Sequence, residues 1–353
     1  MQSVLIHYFS GTGNTYHAVS LIGIKLEASG YSVKYNRIEY GTVPPEGIYD
    51  LHVFAFPVYA MDVPEIMLRY LRKVSPGNGV RAVVLAIYGR VYDGHRFPGD
   101  QGDPGSSYDH ARNILERKGY EVFLTGGAGY PHSITQIIQP PGKCEANAIT
   151  SSSDIKICEF ADRIIAGQKD TRKPGLVTDL ISYPFGAAYG NIGRRFLGKM
   201  LIADNNCTSC GKCIRSCPAG AIAMKNKKPV WNWNCQGCQR CINLCPAKAI
   251  QTSVVKPIVH WIGIPVLLAA LWLMGFYTTY SLMRPSGDAG ILYDLLIFFA
   301  LWAVLIPITD ILMLAMEQVP ALRRIMSLSF TGGYRRYICG DFNPVSKTKS
   351  RKI

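Results

Sequence analysis

Charge is scarce in this chain. Only 18% of its 353 residues are Asp, Glu, Lys or Arg, where about 25% is usual in a soluble domain. With 48% hydrophobic residues, most of the chain has enough apolar surface to fold, which excludes extensive disorder. Acid is the scarcer sign: 24 Asp and Glu stand against 38 Lys and Arg, a net charge of +14. No carboxylate occurs between Cys207 and Lys256, and no charge of either sign between Pro257 and Met283. The start, Met1-Gln-Ser-Val-Leu-Ile-His-Tyr-Phe, lacks a charged leader and a small-residue cleavage site, so no signal peptide is expected. Evenly spread cysteines are missing too. Eight of the 11 fall between Cys207 and Cys245, whereas a secreted disulfide scaffold is short and spreads its cysteines. That clustering indicates metal binding.

The positive excess is uneven. Residues 1–206 carry a net +2 and 207–256 carry +8, whereas 257–317 carry −3 and 318–353 carry +7. Such an excess calls for an acidic partner: nucleic acid, an anionic membrane or an acidic protein. Neither basic block carries a recognised nucleic-acid motif, so no nucleic acid is expected.

The N-terminal part alternates. Val4–Phe9, Tyr31–Ile38, Leu51–Phe56, Ala82–Tyr88 and Glu121–Thr125 read as strands. Asn14 to Ser29, Val63–Val74 and Ser107–Lys118 read as helices, with Gly30 stopping the first. Residues 145–166 offer a last helix. Strands alternating with helices imply an α/β fold with a doubly wound parallel sheet. Short apolar runs such as VVLAI suit strands covered on both faces.

Between the first strand and the first helix stands Phe9-Ser10-Gly11-Thr12-Gly13-Asn14-Thr15. Small residues let the backbone wrap a phosphate, and hydroxyls with free N–H groups at the helix start bind its oxygens. No Lys follows in the P-loop position, which disfavours a nucleoside triphosphate. The glycine spacing also misses the dinucleotide fingerprint. A hydroxyl-rich loop without a cation suits a flavin phosphate monoester. Residues 1–165 resemble flavodoxins, whose loop [ST]-x-T-G-x-T is matched by Ser10, Thr12, Gly13 and Thr15. The resemblance implies strand order 2-1-3-4-5 and FMN at the carboxyl ends of the strands, with Ser10, Gly11, Thr12, Gly13, Asn14 and Thr15 around the phosphate. It also implies two loops flanking the flavin ring. Here they are Pro57-Val58-Tyr59-Ala60-Met61 and Tyr88-Gly89-Arg90-Val91-Tyr92, with Tyr59 or Tyr88 stacking on the ring or sitting at its rim. The glycine-rich stretch 89–106 is long enough for a lid, a docking loop or an insertion of no consequence.

The cysteines form a doubled motif. The first copy is Cys207-Thr-Ser-Cys210-Gly-Lys-Cys213-Ile-Arg-Ser-Cys217-Pro218 and the second Cys235-Gln-Gly-Cys238-Gln-Arg-Cys241-Ile-Asn-Leu-Cys245-Pro246. In C-x2-C-x2-C-x3-C-P, three cysteines fold around one [4Fe–4S] cluster and the fourth ligates the other. Cys207, Cys210, Cys213 and Cys245 should therefore hold cluster I, and Cys235, Cys238, Cys241 and Cys217 cluster II. Four-cysteine zinc sites rarely use this triple spacing. Residues 203–252 resemble bacterial-type two-cluster ferredoxins, departing from many of them in lacking acid. Residues 1–252 together resemble the flavodoxin–ferredoxin fusion proteins of anaerobic bacteria and archaea. Those fusions are commonly soluble, and the segment after Lys256 departs from that pattern.

Pro257–Met283 is uncharged over 27 residues, where about 20 cross a ~30 Å hydrocarbon core. Trp261 and Tyr280 suit the two interfaces. After the turn at Arg284-Pro-Ser-Gly-Asp-Ala-Gly, Ile291–Met316 is a second apolar run, interrupted by Asp294, Pro307 and Asp310. Two transmembrane helices in a hairpin are expected, and a buried soluble pair is disfavoured by the first run's length. Lys and Arg before Pro257 and after Glu317 put both termini and the redox domains in the cytoplasm, at the inner membrane. Arg323-Arg324, Arg335-Arg336 and Lys347–Lys352 then face anionic membrane lipid, each charge contributing about 1 kcal/mol.

Five parts are thus expected: a flavodoxin-like FMN domain at 1–166, a linker at 167–202, a small α+β two-cluster ferredoxin domain at 203–256, a transmembrane hairpin at 257–317 and a basic cytoplasmic tail at 318–353. The function expected is membrane-anchored electron transfer between FMN, two [4Fe–4S] clusters and a redox partner protein, the cofactors supplying the chemistry. The alternative is a reductase of a quinone or isoprenoid lipid, for which Asp310, an acid in an apolar run, is the motive. His132 is expected to be a structural loop residue. Cys144, Cys158 and Cys339 belong to no motif.

Overall fold

The computed structural model describes residues 2–90, 104–171, 175–273, 288–340 and 342–344. Strands β1 (Ser3–Tyr8), β2 (Ser32–Arg37), β3 (Leu51–Pro57), β4 (Arg81–Arg90) and β5 (Glu121–Pro131) form one sheet in the order β2-β1-β3-β4-β5, all pairs parallel. Helices α1 (Asn14–Ala28) and α4 (Lys143–Ile165) cover one face; α2 (Glu65–Leu71) and α3 (Ser107–Arg117) cover the other. Alternate residues of β4 divide between the two cores: Val83, Leu85 and Ile87 on the first, Ala82, Val84 and Ala86 on the second. This is the flavodoxin-like doubly wound order, whose crevice lies at the carboxyl ends of β1 and β3, where the strand order reverses.

Two strands run further than their sequence indicates. β4 continues through Tyr88, Gly89 and Arg90, which pair with Gly129, Tyr130 and Pro131 of β5. Tyr88-Gly89-Arg90 is therefore strand, not the start of a flanking loop. Glycines 126, 127 and 129 hide the length of β5 in the sequence because they carry no alternating pattern. Val91, Tyr92 and the rest of the glycine-rich stretch to 103 lie outside the described residues.

Residues expected as linker are helical: α5 (Leu176–Ala188), a π-helical turn at Tyr189–Gly193, and α6 (Arg194–Met200). The small unit comes next. β6 (Leu201–Ala203) pairs antiparallel with β9 (Ile250–Thr252), and β7 (Ile222–Lys225) with β8 (Lys228–Trp231), while α7 (Lys212–Arg215) and α8 (Arg240–Leu244) each start inside a cysteine motif. Its two halves repeat in backbone conformation. Ser209 and Gly237, Gly211 and Gln239, and Gly220 and Lys248 are all left-handed, each pair offset like the cysteines themselves.

The last part holds α9 (Val255–Ile258), a π turn at Val259–Gly263, α10 (Ile264–Leu273), α11 (Asp288–Met316) and α12 (Pro320–Met326). Among the described residues one helix, over Leu292–Met316, is long and apolar enough to cross a membrane, where two were expected. The other apolar helix, Val255–Leu271, is shorter. The rest of its run, from 274, and the turn with Arg284 lie outside the described residues.

The tail packs on the protein. Arg335 donates to the Pro140 carbonyl at 3.0 Å, and Arg336 to the Thr331 and Ile250 carbonyls at 3.3 and 3.1 Å. Arg323 is buried and donates to the Glu317 carbonyl at 2.6 Å. These guanidinium groups tie the segment to the protein, while Arg324 and Arg335 are exposed. Residues 347–352 lie outside the described residues.

Candidate redox site at the domain junction

The eight motif cysteines divide into two groups. Cys207, Cys210, Cys213 and Cys245 line one hollow, and Cys217, Cys235, Cys238 and Cys241 line another. Among the described residues no three His, Cys, Asp or Glu side chains converge tightly enough to hold a single metal ion. Four sulfurs spread around a hollow suit a multi-iron cluster, not tetrahedral zinc. Backbone N–H groups point at the sulfurs: Ala221 to Cys217 and Ala249 to Cys245, both at 3.3 Å, and Gly237 to Cys235 at 3.4 Å. Burial pushes the thiols of Cys213 and Cys235 up to about 12 and that of Cys238 to about 11. Metal coordination deprotonates such thiols outright.

The groups differ in exposure. Cys235, Cys238 and Cys241 are buried, whereas Cys210 is exposed and Cys207, Cys213 and Cys245 are partly so. The buried group lies against the α/β unit. A Cβ on Gly11 would stand 2.7 Å from the Cys238 carbonyl oxygen and 2.7 Å from the Tyr59 hydroxyl, so only glycine permits this approach. On the opposite side α6 closes in: a Cβ on Gly198 would meet Cys235 Sγ at 2.8 Å.

Arg240 joins the units, and sequence reasoning missed it. Its side chain is 1% exposed. Nε donates to the Gly11 carbonyl at 2.9 Å, Nη2 to the Ser10 carbonyl at 2.6 Å, and Nη1 to the Ser216 carbonyl at 2.7 Å, with Glu39 Oε1 at 3.3 Å. The only signal was an arginine between Cys238 and Cys241; nothing local shows that its donors reach across 230 residues of chain.

Ser10 Oγ accepts from the N–H groups of Gly13 and Tyr16 at 3.2 and 3.3 Å. Thr12 Oγ1 donates to Ser133 Oγ at 2.8 Å, and Asn14 Nδ2 to the Pro131 carbonyl at 2.8 Å. Thr15 Oγ1 is buried at the start of α1 with no hydrogen-bond partner. An orphaned hydroxyl beside a glycine loop at a helix start fits a phosphate oxygen. The tail crosses this loop: the Cys339 N–H donates to the Thr12 carbonyl at 2.9 Å and the Tyr337 hydroxyl to Asn14 Oδ1 at 2.9 Å. Cys339, assigned no role from sequence, is thus a buried contact of the phosphate loop.

Of the first ring-loop residues, Pro57 ends β3 and the Val58 N–H donates to the Ile87 carbonyl at 2.8 Å. Ala60 and Met61 are both left-handed, at φ 50° and 62°, between the bridged residues Tyr59 and Asp62. Two non-glycine residues in that conformation store strain. Tyr59 turns inward to Phe9, edge-on at 6.3 Å, and to Gly11. Asp62 is buried against His110 Nδ1 at 2.9 Å and is covered by Gly186 of α5. On the other side Arg90 Nη1 donates to Ser152 Oγ at 3.2 Å. Gly89 backs onto His132, whose ring is buried with Nδ1 unpartnered. Burial lowers the His132 pKa. Cys144 is exposed and Cys158 half-buried.

Asp310 is paired. Its Oδ2 lies 2.6 Å from Lys199 Nζ, both side chains buried, and Lys199 lies over the Trp233 ring at 4.8 Å. A second buried pair, Lys256 with Glu317 at 2.5 Å, lies at the end of α11.

Residues 199–246 match the family model of the 4Fe-4S dicluster domain. The α/β unit has structural neighbours among flavodoxins. That of Streptococcus pneumoniae TIGR4 is 15% identical, covering 47% of this chain and 99% of its own, with a TM-score of 0.31. Flavodoxin 1 of Bacillus cereus is 14% identical over 47% of this chain and 98% of its own, with a TM-score of 0.32. The Megasphaera elsdenii flavodoxin is 20% identical over 35% and 84%, with a TM-score of 0.28. At such scores the assignment of the sheet rests on its strand order. No curated protein sequence matches the chain. The architecture is a flavodoxin-like sheet joined to a 4Fe–4S-type ferredoxin unit.

Proposed function

We propose that this chain is a membrane-attached electron-transfer flavoprotein, holding FMN and two [4Fe–4S] clusters and exchanging electrons with a partner redox protein. The observation that carries the reading is the packing of Cys238 directly on Gly11, which puts a cysteine hollow against the phosphate loop. When bound, FMN supplies one- and two-electron chemistry and each cluster one-electron chemistry.

The chain's own residues do the rest. Ser10, Thr15 and the loop backbone would hold the phosphate monoester, and Pro57 to Ala60 would lie beside the ring. Cys207, Cys210, Cys213 and Cys245 would hold cluster I; Cys217, Cys235, Cys238 and Cys241 would hold cluster II. Arg240 keeps the loop and the second cysteine group in one geometry and excludes water between them. For the membrane, support comes from α11, where apolar residues such as Leu296 (61% exposed) and Ile311 (66%) face outward. Apolar surface of that extent needs a covering phase. We propose lipid, with the uncharged run from Pro257 as a second span and the redox units on the cytoplasmic side.

Anaerobic purification tests this reading. About eight irons and one FMN per chain are expected, with Cys238→Ser losing about half the iron. A chain without FMN, or with four irons or fewer, overturns it. A reductase of quinone or isoprenoid lipid is a second reading, favoured by His260, whose buried Nε2 has no partner close to the Lys199–Asp310 pair. That reading requires quinone oxidation of the reduced protein to fall in His260→Gln while iron content stays constant.

A further inference from the structure

The two cysteine hollows are related by sequence but not by surroundings, and the difference identifies a docking face. The Cys238 group is enclosed by Gly11, Tyr59 and α6. The Cys210 group opens outward, with Thr208, Cys210 and Pro246 exposed at its mouth. Lysines surround that mouth. Lys212 lines the hollow itself. The β7–β8 turn carries Lys225 and Lys227, both exposed, and the Lys227 carbonyl accepts from the Ser209 hydroxyl beside Cys210. Met224 and Pro229, which flank that turn, line the hollow as well. Lys248 is exposed immediately after the lining residues Pro246 and Ala247. Arg215 is exposed one turn from Gly211.

Among the described residues none of Lys212, Arg215, Lys225, Lys227 or Lys248 has a carboxylate within ion-pair distance. The segment from Cys207 to Lys256 contains no acid to provide one. A rim of unpaired lysines costs self-repulsion, which an acidic partner relieves, and like-charged rims steer encounter. Lys256, by contrast, is buried and already paired with Glu317, so it adds nothing to the rim.

We propose that this lysine rim over Cys207–Cys213 and Cys245 is the docking surface for an acidic redox protein, and that the Cys238 side faces only the chain's own α/β unit and α6. This rests on the electron-transfer reading above. The exchange is one electron, iron of the cluster being oxidised as the partner's metal is reduced or the reverse, with no proton or atom transferred.

The full chain in detergent, its iron content measured first, is titrated with rubredoxin, an acidic one-iron protein, and separately with cytochrome c, a basic haem protein. Rubredoxin should bind with an affinity that falls about tenfold or more between low and physiological salt, and cytochrome c should not bind. The variant Lys225→Glu, Lys227→Glu, Lys248→Glu should keep its iron, lose about tenfold in rubredoxin affinity, and lose the salt dependence. The electron-transfer rate to rubredoxin should follow the affinity. Intact iron with salt-independent binding, or an unaffected triple variant, overturns the docking surface while leaving the electron-transfer reading standing. Low iron in the unmodified chain overturns that reading instead. If the triple variant loses only its binding to vesicles containing phosphatidylserine, the rim is a lipid contact and the proposal fails.

Discussion

Arg240 heads the largest fully buried side chains, and its charge faces backbone carbonyls from both units. A buried guanidinium is stable only while every donor is used. Arg240→Gln would leave the Ser10, Gly11 and Ser216 carbonyls short of donors and Glu39 without its cation. We expect a loss of about 3–5 kcal/mol in chemical denaturation, not recovered by Arg240→Lys, which lacks the planar fork. A second buried relay lies away from the junction. His7 Nδ1 meets the Tyr70 hydroxyl at 2.6 Å and His7 Nε2 meets His52 Nδ1 at 2.9 Å, with both rings stacked against Phe54. Burial lowers the His7 pKa well below its usual value and that of His52 to about 4. The unfolded chain, titrating near 6.5, therefore binds more protons below that pH than the folded one. Stability should be complete above pH 6.5 and decline toward pH 4, by on the order of 3 kcal/mol for His52 alone. Urea midpoints across that range check it, and His52→Phe should flatten the decline.

Elements meet at charged pairs where the sequence shows only isolated charges. Lys199 on α6 and Asp310 on α11 are 111 residues apart and form one buried contact. Lys256 on α9 and Glu317 just after α11 form the other. Removing one partner strands a buried charge, which typically costs about 3–5 kcal/mol, whereas replacing both by apolar residues is near neutral. Asp310→Leu should therefore lower the melting temperature in detergent, and Lys199→Met with Asp310→Leu should restore most of it. If Asp310 instead served proton transfer alone, the single variant would melt like the parent. The same reasoning explains why an acid in an apolar run was legible as unusual but its role was not. Its partner lies in a segment that sequence indicates only as linker.

At the scale of the whole molecule, three segments far apart in sequence close one junction. The phosphate loop, the second cysteine motif and the tail meet through Gly11, Cys238 and Cys339. The alternation of strands and helices was readable because both-face burial leaves apolar runs, and the strand order β2-β1-β3-β4-β5 agrees with the order the loop's resemblance implied. The reach of β4 and β5 was not readable. Tyr88-Gly89-Arg90 and the glycines of β5 lack the pattern of a strand, and pairing with each other decides them. The +7 of the tail was readable, but not that Arg323, Arg335 and Arg336 bind carbonyls of the protein.

The sequence by itself determined which residues sit close along the chain: eight cysteines at cluster spacing, a hydroxyl-and-glycine loop at a helix start, and an uncharged run. Such features are local, because a ligand loop or an apolar helix is specified by its own residues. The tertiary structure alone decided which cysteine group is enclosed and which is open, what Arg240 and Asp310 bind, and where the tail lies. Those depend on long-range burial, where a charge or a polar hydroxyl is stable only beside a partner that no local pattern names.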